Sequence, residues 1–275
     1  MIFLQSPPDA SLQNYIHQYW YLQSDDPSEF GHLKQMMFPM DYSGLSFYFL
    51  HEPTIEHFKN KICKKTAALY TGLITSPGSI TFEADKPIEG FVIAFLPHGF
   101  SDIFKINAAE VTDKLPDFFS LYDSEGKQLY NAIEQAKDFE SKIKIADDYF
   151  MQKLPGTNHT FQMIEAVQKI VNSDGLIDME NLAKEVNMSL STLERHFKKR
   201  VGVSAKMYAR FKRFHHALAL LNDPKPKTWL EIAHECGYYD QARFIKEFHK
   251  FTNQKPSAFS PMDYPLFYRF IIQKS

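Results

Sequence analysis

Two short stretches near the end of the chain carry side chains that can hydrogen-bond to the edges of DNA bases. Arginine can bind guanine, glutamine can bind adenine, and glutamate can accept a hydrogen bond from cytosine N4. Each stretch presents such residues on the outer face, at the start of what the spacing predicts to be an exposed helix. The predicted base-reading residues are Ser191, Thr192, Glu194, Arg195, Gln241, Ala242, Arg243 and Lys246.

Lysines in and just after the same stretches are predicted to meet DNA phosphates. Lys198 and Lys199 follow the first set, and Lys250 and Lys255 follow the second. Phosphate contacts position a protein on the duplex but carry no sequence information. Basic outer faces also occur on helices that are merely solvated. Whether these residues indicate DNA binding or a solvated surface therefore depends on the structural elements that carry them.

These elements form an internal repeat. Eight apolar or turn positions recur with an offset of 50 residues before a turn and 51 after it. A repeat of this kind indicates one structural unit used twice. The first copy contains Leu182, Ala183, Val186, Leu193, Phe197, Gly202, Ala205 and Tyr208, and the second contains Ile232, Ala233, Cys236, Phe244, Phe248, Asn253, Pro256 and Phe259.

Each copy is predicted to be a helix-turn-helix unit, at about 179–202 and 229–253, with a long helix at about 204–221 between them. Ser189 or Ser191 can cap the second helix of the first unit, and Asp240 can cap that of the second. Gly202 and Asn253 supply the left-handed residue that ends such a helix. Helix-turn-helix geometry also occurs in proteins that bind no DNA, but two basic copies favour DNA binding.

The tail, from about 160 to 262, resembles the DNA-binding domain of AraC/XylS-family transcription activators. The run from Ile232 to Pro256 follows that family's signature closely. Asn253 stands where the family usually has Gly, Ala205 where Pro is common, and Ser260 where Arg often follows. The resemblance implies sequence-specific binding to double-stranded promoter or operator DNA in a bacterial cytoplasm, contact with RNA polymerase and no cofactor.

Length and charge predict two domains of opposite character. Residues 157–275 hold 18 basic and 12 acidic side chains, whereas residues 1–156 hold 13 basic and 21 acidic ones. Only the second half is therefore suited to a polyanion. The run Pro155-Gly156-Thr157-Asn158 is the clearest linker signal, so the predicted domains are 1–156 and 157–275.

Cysteine and histidine usage does not favour an enzyme or a metalloprotein. Two cysteines give neither a disulfide framework nor a zinc set. The histidines of the first half lack the paired spacing that a metal site needs, and we expect no metal. The chain shows no signal peptide and no apolar run of ~20 residues, which predicts a cytoplasmic protein. The histidines considered are His32, His51, His57 and His98.

The first half is predicted to be β-rich from residue 34 to 97, after an aromatic helical stretch from Leu12 to Leu22. Short strands separated by turn signals favour a small barrel or sandwich. The family resemblance implies a cupin-like barrel, giving an α+β two-domain fold class. Two helices, 125–139 and 139–154, are expected either to form a dimer contact or to pack on their own barrel.

An aromatic face on the predicted strands can either fill the core or line a pocket for an apolar effector. Its members alternate along the strands and so share one side of each strand. They are Phe47, Phe49, Phe82, Phe91, Ile93 and Phe95.

The predicted function is a transcription regulator that reads two adjacent major-groove segments. Its first half is expected to act through an effector or through dimerisation. Two alternatives stay open: a regulator without any ligand, whose first half only dimerises, and a cupin-type enzyme fused to a DNA-binding tail. The aromatic tail at 264–272 has no assigned role.

Overall fold

Two antiparallel sheets make up most of the first half of the chain. The computed structural model describes residues 1–155, 161–223, 225 and 227–272. The strands are β1 (Ile2–Ser6), β2 (Ile16–Ser24), β3 (Lys34–Met37), β4 (Ser43–Tyr48), β5 (Thr54–His57), β6 (Ile62–Lys64), β7 (Ala68–Thr71), β8 (Gly78–Thr81) and β9 (Ile88–Phe95). The larger sheet has the order β1-β2-β9-β4-β7, and the smaller one has the order β3-β8-β5-β6.

The α+β two-domain fold class is confirmed, with a β-rich first half and a helical second half. The strand hydrogen bonds of the described residues form two separate sheets, and they do not close into one barrel. The predicted boundary at 156/157 falls within residues 156–160, which lie outside the described residues.

The larger sheet is buried on both faces. One face, which includes Phe47 and Phe91, packs against four helices of the first half. The opposite face, which includes Trp20 and Val92, points towards the smaller sheet. Those helices are α1 (Gly99–Phe104), α2 (Phe118–Leu121), α3 (Asp123–Glu134) and α4 (Phe139–Met151).

The predicted helix from Leu12 to Leu22 is wrong, because residues 16–24 form β2, an interior strand that lies between β1 and β9. Tyr19 of this strand is buried on the helix side of the sheet, and Trp20 on the other side. A strand buried on both faces shows no alternation of apolar and polar residues. The aromatic residues of β2 therefore showed no period of two, and their spacing was compatible with a helix.

The second half is helical, and the helix-turn-helix pattern is found in both copies. A long helix, α8, joins the two units and carries the apolar stripe that both pack against. A short helix, α11, follows the second unit. The helices are α5 (Phe161–Asn172), α6 (Met179–Glu185), α7 (Leu190–Arg200), α8 (Ala205–Leu221), α9 (Trp229–Glu235), α10 (Gln241–Thr252) and α11 (Pro265–Ile272).

Local signals at the ends of α7 and α10 explain where these helices start and stop. The Ser189 hydroxyl accepts from the Thr192 amide at 3.1 Å, and the Asp240 carboxylate accepts from the Arg243 amide at 2.7 Å. Asn253 ends α10 in the left-handed region, with φ of 58°. Within the described residues, no helix is both long and apolar enough to span a bilayer.

Candidate nucleic-acid interface

The first recognition helix, α7, presents its predicted base-reading residues at its exposed start. Ser191 and Arg195 are exposed, and Thr192 is half-buried beside the Ser189 cap. Leu193 and Phe197 on the opposite face are buried in the core. The first turn of α7 therefore offers one outward surface that can approach a groove.

Two predicted DNA contacts of α7 already have partners within the chain. The Glu194 carboxylate accepts from the Ala205 amide at 3.0 Å, which caps the start of α8. The Lys198 ammonium donates to the Gly202 carbonyl at 2.9 Å, just beyond the end of α7. A cytosine contact by Glu194 and a phosphate contact by Lys198 would have to compete with these bonds. Lys198 and its neighbour Lys199 are both exposed to solvent.

The second recognition helix, α10, is more open than the first. Ala242, Arg243, Lys246 and Lys250 are exposed along one side. The other predicted residues of this unit are Gln241, which is half-buried, and Lys255, which is exposed.

An exposed aromatic residue, Tyr239, supports Arg243 at the start of α10. Tyr239 is 85% exposed, and the Arg243 guanidinium lies 6.0 Å from the centre of its ring. A cation held over a ring face is restrained in position. Tyr239 was not among the predicted DNA-contact residues, although a second tyrosine in the turn before a recognition helix is a signal that the sequence contains.

Charged residues of α8 hold α10 in place. Arg210 pairs with Glu247 at 2.7 Å, and Glu247 also accepts from the Tyr238 hydroxyl at 2.9 Å. The Arg213 guanidinium lies 5.5 Å from the ring centre of Tyr238. Arg210 and Arg213 of the connecting helix therefore serve packing and pairing within the second half.

The end of α7 is bound to the first half of the chain. The Arg200 guanidinium forms a two-point ion pair with Asp102 of α1, in which Nε lies 2.6 Å from Oδ1. His98 Nδ1 lies 2.9 Å from the same carboxylate. Burial acts to raise the pKa of Asp102, but His98 and Arg200 outweigh it and keep that pKa below its usual value. The Ser101 hydroxyl also donates to the Arg200 carbonyl at 2.5 Å.

The middle of α8 is bound to the loop between β3 and β4. The Lys212 ammonium lies 2.6 Å from the Asp41 carboxylate, and His215 Nδ1 lies 3.3 Å from it. Although burial acts to raise the pKa of Asp41, Lys212 and His215 hold it well below its usual range. His215 Nε2 bonds to the Pro39 carbonyl at 2.7 Å. The helical second half is therefore fixed to the first half at two separate points.

The histidines weighed as metal ligands do not converge. His57 lies near Ser76 and Asp113, His98 lies beside Asp102, and His51 bonds to the Pro87 carbonyl. Burial, the largest influence, lowers the pKa of His57. No group of three possible metal ligands occurs among the described residues.

Comparisons with known proteins agree with the geometry. Residues 182–261 match a helix-turn-helix domain family, and residues 4–117 match a domain of unknown function (DUF6597). The Msm operon regulatory protein of Streptococcus mutans is 31% identical over 98 residues, which are 35% of this chain and 35% of that protein. The lactose operon transcription activator of Staphylococcus xylosus is 38% identical over 74 residues, which are 27% of this chain and 26% of that protein.

The matches thus span about a third or less of the length of these curated relatives. Among solved structures, ToxT from Vibrio cholerae O395 aligns with a TM-score of 0.45 at 11% identity, over 99% of each chain. The helix-turn-helix match takes in both recognition helices, and both relatives carry the names of operon regulators. The second half of the chain therefore contains a helix-turn-helix domain and is similar to these operon regulators.

Proposed function

We propose that the protein is a sequence-specific DNA-binding transcription regulator that reads two adjacent major-groove segments. One observation carries the proposal: both repeats fold into helix-turn-helix units whose recognition helices begin with an exposed surface that carries Arg195 or Arg243. Helices α7 and α10 would enter successive grooves on one face of the duplex, about one turn or ~34 Å apart.

The two arginines are the proposed guanine readers, and Gln241 is the proposed adenine reader. Ser191, Thr192, Ala242 and Lys246 lie on the same surfaces and complete the two contact sets. Glu194 keeps its proposed contact with cytosine, in competition with its bond to the start of α8.

Phosphate contacts are proposed for the lysines that flank these surfaces. The exposure of Lys199, Lys250 and Lys255 supports this role, whereas Lys198 must first leave the Gly202 carbonyl. A phosphate contact strengthens binding to all sequences alike and makes it sensitive to salt.

The first half of the chain is proposed to control the DNA-binding half, through an effector or through dimerisation. The Arg200–Asp102 and Lys212–Asp41 ion pairs support this coupling. Because they join α1 to α7 and the β3–β4 loop to α8, a movement of the first half would displace these two helices. An effector shifts such an arrangement only by its differential affinity for two states. In the ligand-independent alternative, a homodimer contact on the first half controls the DNA-binding half. Contact with RNA polymerase and a place in the cytoplasm follow from the family resemblance.

Selection from a random DNA pool with the full-length protein tests this proposal. The whole chain is used because α11 packs against the first half, for example with Phe267 and Phe38 rings 4.9 Å apart. We expect one asymmetric site with two boxes about a turn apart. Failure to enrich any sequence, with candidate effectors present, would refute the proposal.

Two substitutions separate base reading from phosphate binding. Arg243→Ala should cost ~1–3 kcal/mol at one base pair of one box and relax specificity there. Lys199→Ala should weaken all sites alike and reduce the salt slope by about 1. Lys137→Ala, an exposed lysine of the first half, is the control and should change neither. Equal weakening of every sequence by Arg195→Ala and Arg243→Ala would refute their base-reading roles.

A further inference from the structure

An apolar cavity of about 120 Å³ lies between the two sheets of the first half. Its walls include Trp20 and Leu22 of β2, Ile80 of β8 and Val92 of β9, which all face away from helices α1 to α4. An apolar cavity of roughly 150 Å³ in another protein binds benzene. The space between the sheets is therefore close to the size of one six-membered ring.

The aromatic face that the sequence offered as a pocket lies elsewhere. Phe47, Phe91 and Phe95 fill the core beneath α1 to α4, where they contact helix side chains. Phe82, in contrast, lines the cavity between the sheets. The core-filling interpretation thus holds for most of that face, and the cavity belongs to the opposite side of the sheet.

The C-terminal helix α11 completes the wall of this cavity. Leu266 and Phe270 both line it, and Leu266 is only 2% exposed. The Phe270 ring packs against Trp20 with centroids 4.9 Å apart and against Phe3 at 5.7 Å. Two side chains that follow the DNA-binding units therefore belong to a cavity of the sensing half.

A line of aromatic contacts joins α11 to the second recognition helix. Phe248 of α10 packs on Phe259 at 5.2 Å between ring centroids, and Phe259 stacks on Tyr264 at 4.9 Å. The Gln254 amide donates to the Tyr264 hydroxyl at 2.6 Å. Phe38, which lines the cavity, lies 5.4 Å from Phe259 and 5.0 Å from Tyr264. The cavity wall is thus in continuous contact with α10.

The lining of the cavity disfavours charged molecules. No lysine or arginine is found among its described lining residues, and the Glu56 carboxylate already accepts from Lys34 and Ser79. A carboxylate or phosphate would lose its hydration here without gaining a cation. His57 lines the cavity, and its buried Nδ1 has no hydrogen-bond partner in the described structure. One hydroxyl or carbonyl group on a ligand would satisfy it.

We propose that this cavity binds an uncharged, single-ring or similarly small apolar molecule, and that α11 reports its presence to the DNA-binding half. The inference rests on the proposed regulatory function and names its effector class and its route. The space exists with α11 in place, so the ligand packs against Leu266 and Phe270 and stabilises the docked helix. Ligand binding and DNA binding then change each other's affinity by the same factor.

Tryptophan fluorescence and DNA affinity, measured on the full-length protein, test the proposal. The chain has two tryptophans, Trp20 and Trp229, so Trp229→Phe leaves one reporter in the cavity wall. The probes are phenol and benzoate, which share a ring but differ in charge at neutral pH. We expect phenol, and not benzoate, to change Trp20 emission and to shift DNA affinity.

Variants of α11 test the route. Phe270→Ala should weaken phenol binding about fivefold, as expected for the loss of one ring contact, and should abolish the effect of phenol on DNA affinity. Phe270→Leu, a milder change, should act in the same direction and guards against misfolding. Met262→Ala is the control, because this side chain is 85% exposed and does not line the cavity.

Three results would overturn the proposal: equal binding of benzoate and phenol, no binding of phenol at its highest soluble concentration, or unchanged coupling in both Phe270 variants. The proposed function fails by a different result. A protein that binds phenol but selects no DNA sequence would keep the cavity and its ligand class, and would lose the regulatory role.

Discussion

The first recognition helix ends against the β-rich first half of the protein, whereas the second ends against the chain's own C-terminal segment. Arg200, in the last turn of α7, pairs with Asp102. The position 51 residues later is Phe251, which is buried in the core of the second unit. The repeated sequence thus builds two similar units with different neighbours, and only the first is tied directly to α1.

The residues that end these two helices show the same difference. Gly202 has φ of 91°, and a Cβ there would lie 2.0 Å from Thr112 Oγ1 and 3.0 Å from the Ala108 carbonyl oxygen. Asn253 adopts φ of 58° and is exposed. The close approach of the first half therefore requires glycine in one copy, while the other copy accepts a side chain.

The largest expected effect comes from breaking the contact between α7 and α1. Arg200→Ala leaves a buried carboxylate without its arginine partner, with only His98 beside it, and should lower the free energy of unfolding by about 3 kcal/mol. Denaturant titration measures this. The neighbouring Lys199→Ala, on an exposed side chain, should change stability by less than ~0.5 kcal/mol. Equal effects of the two would contradict a structural role for the pair.

The same ion pair predicts how that loss depends on pH. The folded-state pKa of Asp102 is lowered. The contribution of this carboxylate to the free energy of unfolding is therefore fully present above the pKa of an unfolded aspartate, about 3.9. It is lost as the pH falls through the lower folded value. The difference between wild type and Arg200→Ala should therefore shrink in acid, and a constant difference would argue against it.

Exchanging the two helix-ending residues sharpens the comparison. Gly202→Asn should cost about 2 kcal/mol, because the new side chain meets Thr112 and Ala108. Asn253→Gly should be nearly neutral, since nothing in the second unit depends on that side chain for space. Thermal unfolding of both variants checks this. Similar losses would mean that the first half does not press on Gly202.

A smaller effect separates two roles of Glu194. Glu194→Ala removes the acceptor at the start of α8 and should cost about 1 kcal/mol of stability, as for the loss of a cap. Glu194→Gln keeps an acceptor and should cost less. If both variants instead keep full stability and relax specificity at one base pair, base reading is the main role.

The smallest expected effect concerns the second unit alone, where Tyr239 supports Arg243. Tyr239→Ala should weaken DNA binding by ~0.5–1 kcal/mol, the usual size of an exposed cation–π contact. Tyr239→Phe keeps the ring and should bind as wild type does. The equivalent residue in the first unit is Met188, so the first box should show no such dependence on an aromatic ring.

Local patterns sufficed to predict the second half of the chain. The helix-turn-helix units, the caps at Ser189 and Asp240, and the left-handed end at Asn253 depend on residues within a few positions of each other. The exposed surfaces of α7 and α10 follow from the same periodicity. Base reading itself stays a prediction, since it concerns a partner outside the chain.

Contacts between residues far apart in the sequence could not be predicted from these local patterns. Asp102 and Arg200 are 98 residues apart, and no spacing rule links them. Strand β2 was misread because both its faces are buried, which removes the period of two. The docking of α11 depends on a cavity formed by two sheets, whose inner faces the sequence does not distinguish from their outer ones.

Helix α8 sets both the distance and the rotation between the two helix-turn-helix units. Its 17 residues span about 25 Å, less than one turn of DNA. One residue inserted within it would turn the second unit by about 100° relative to the first and move it by only ~1.5 Å. The distance between two DNA boxes can therefore not be retuned by lengthening α8 one residue at a time. Changes in operator spacing would have to arise in the segment between α8 and α9.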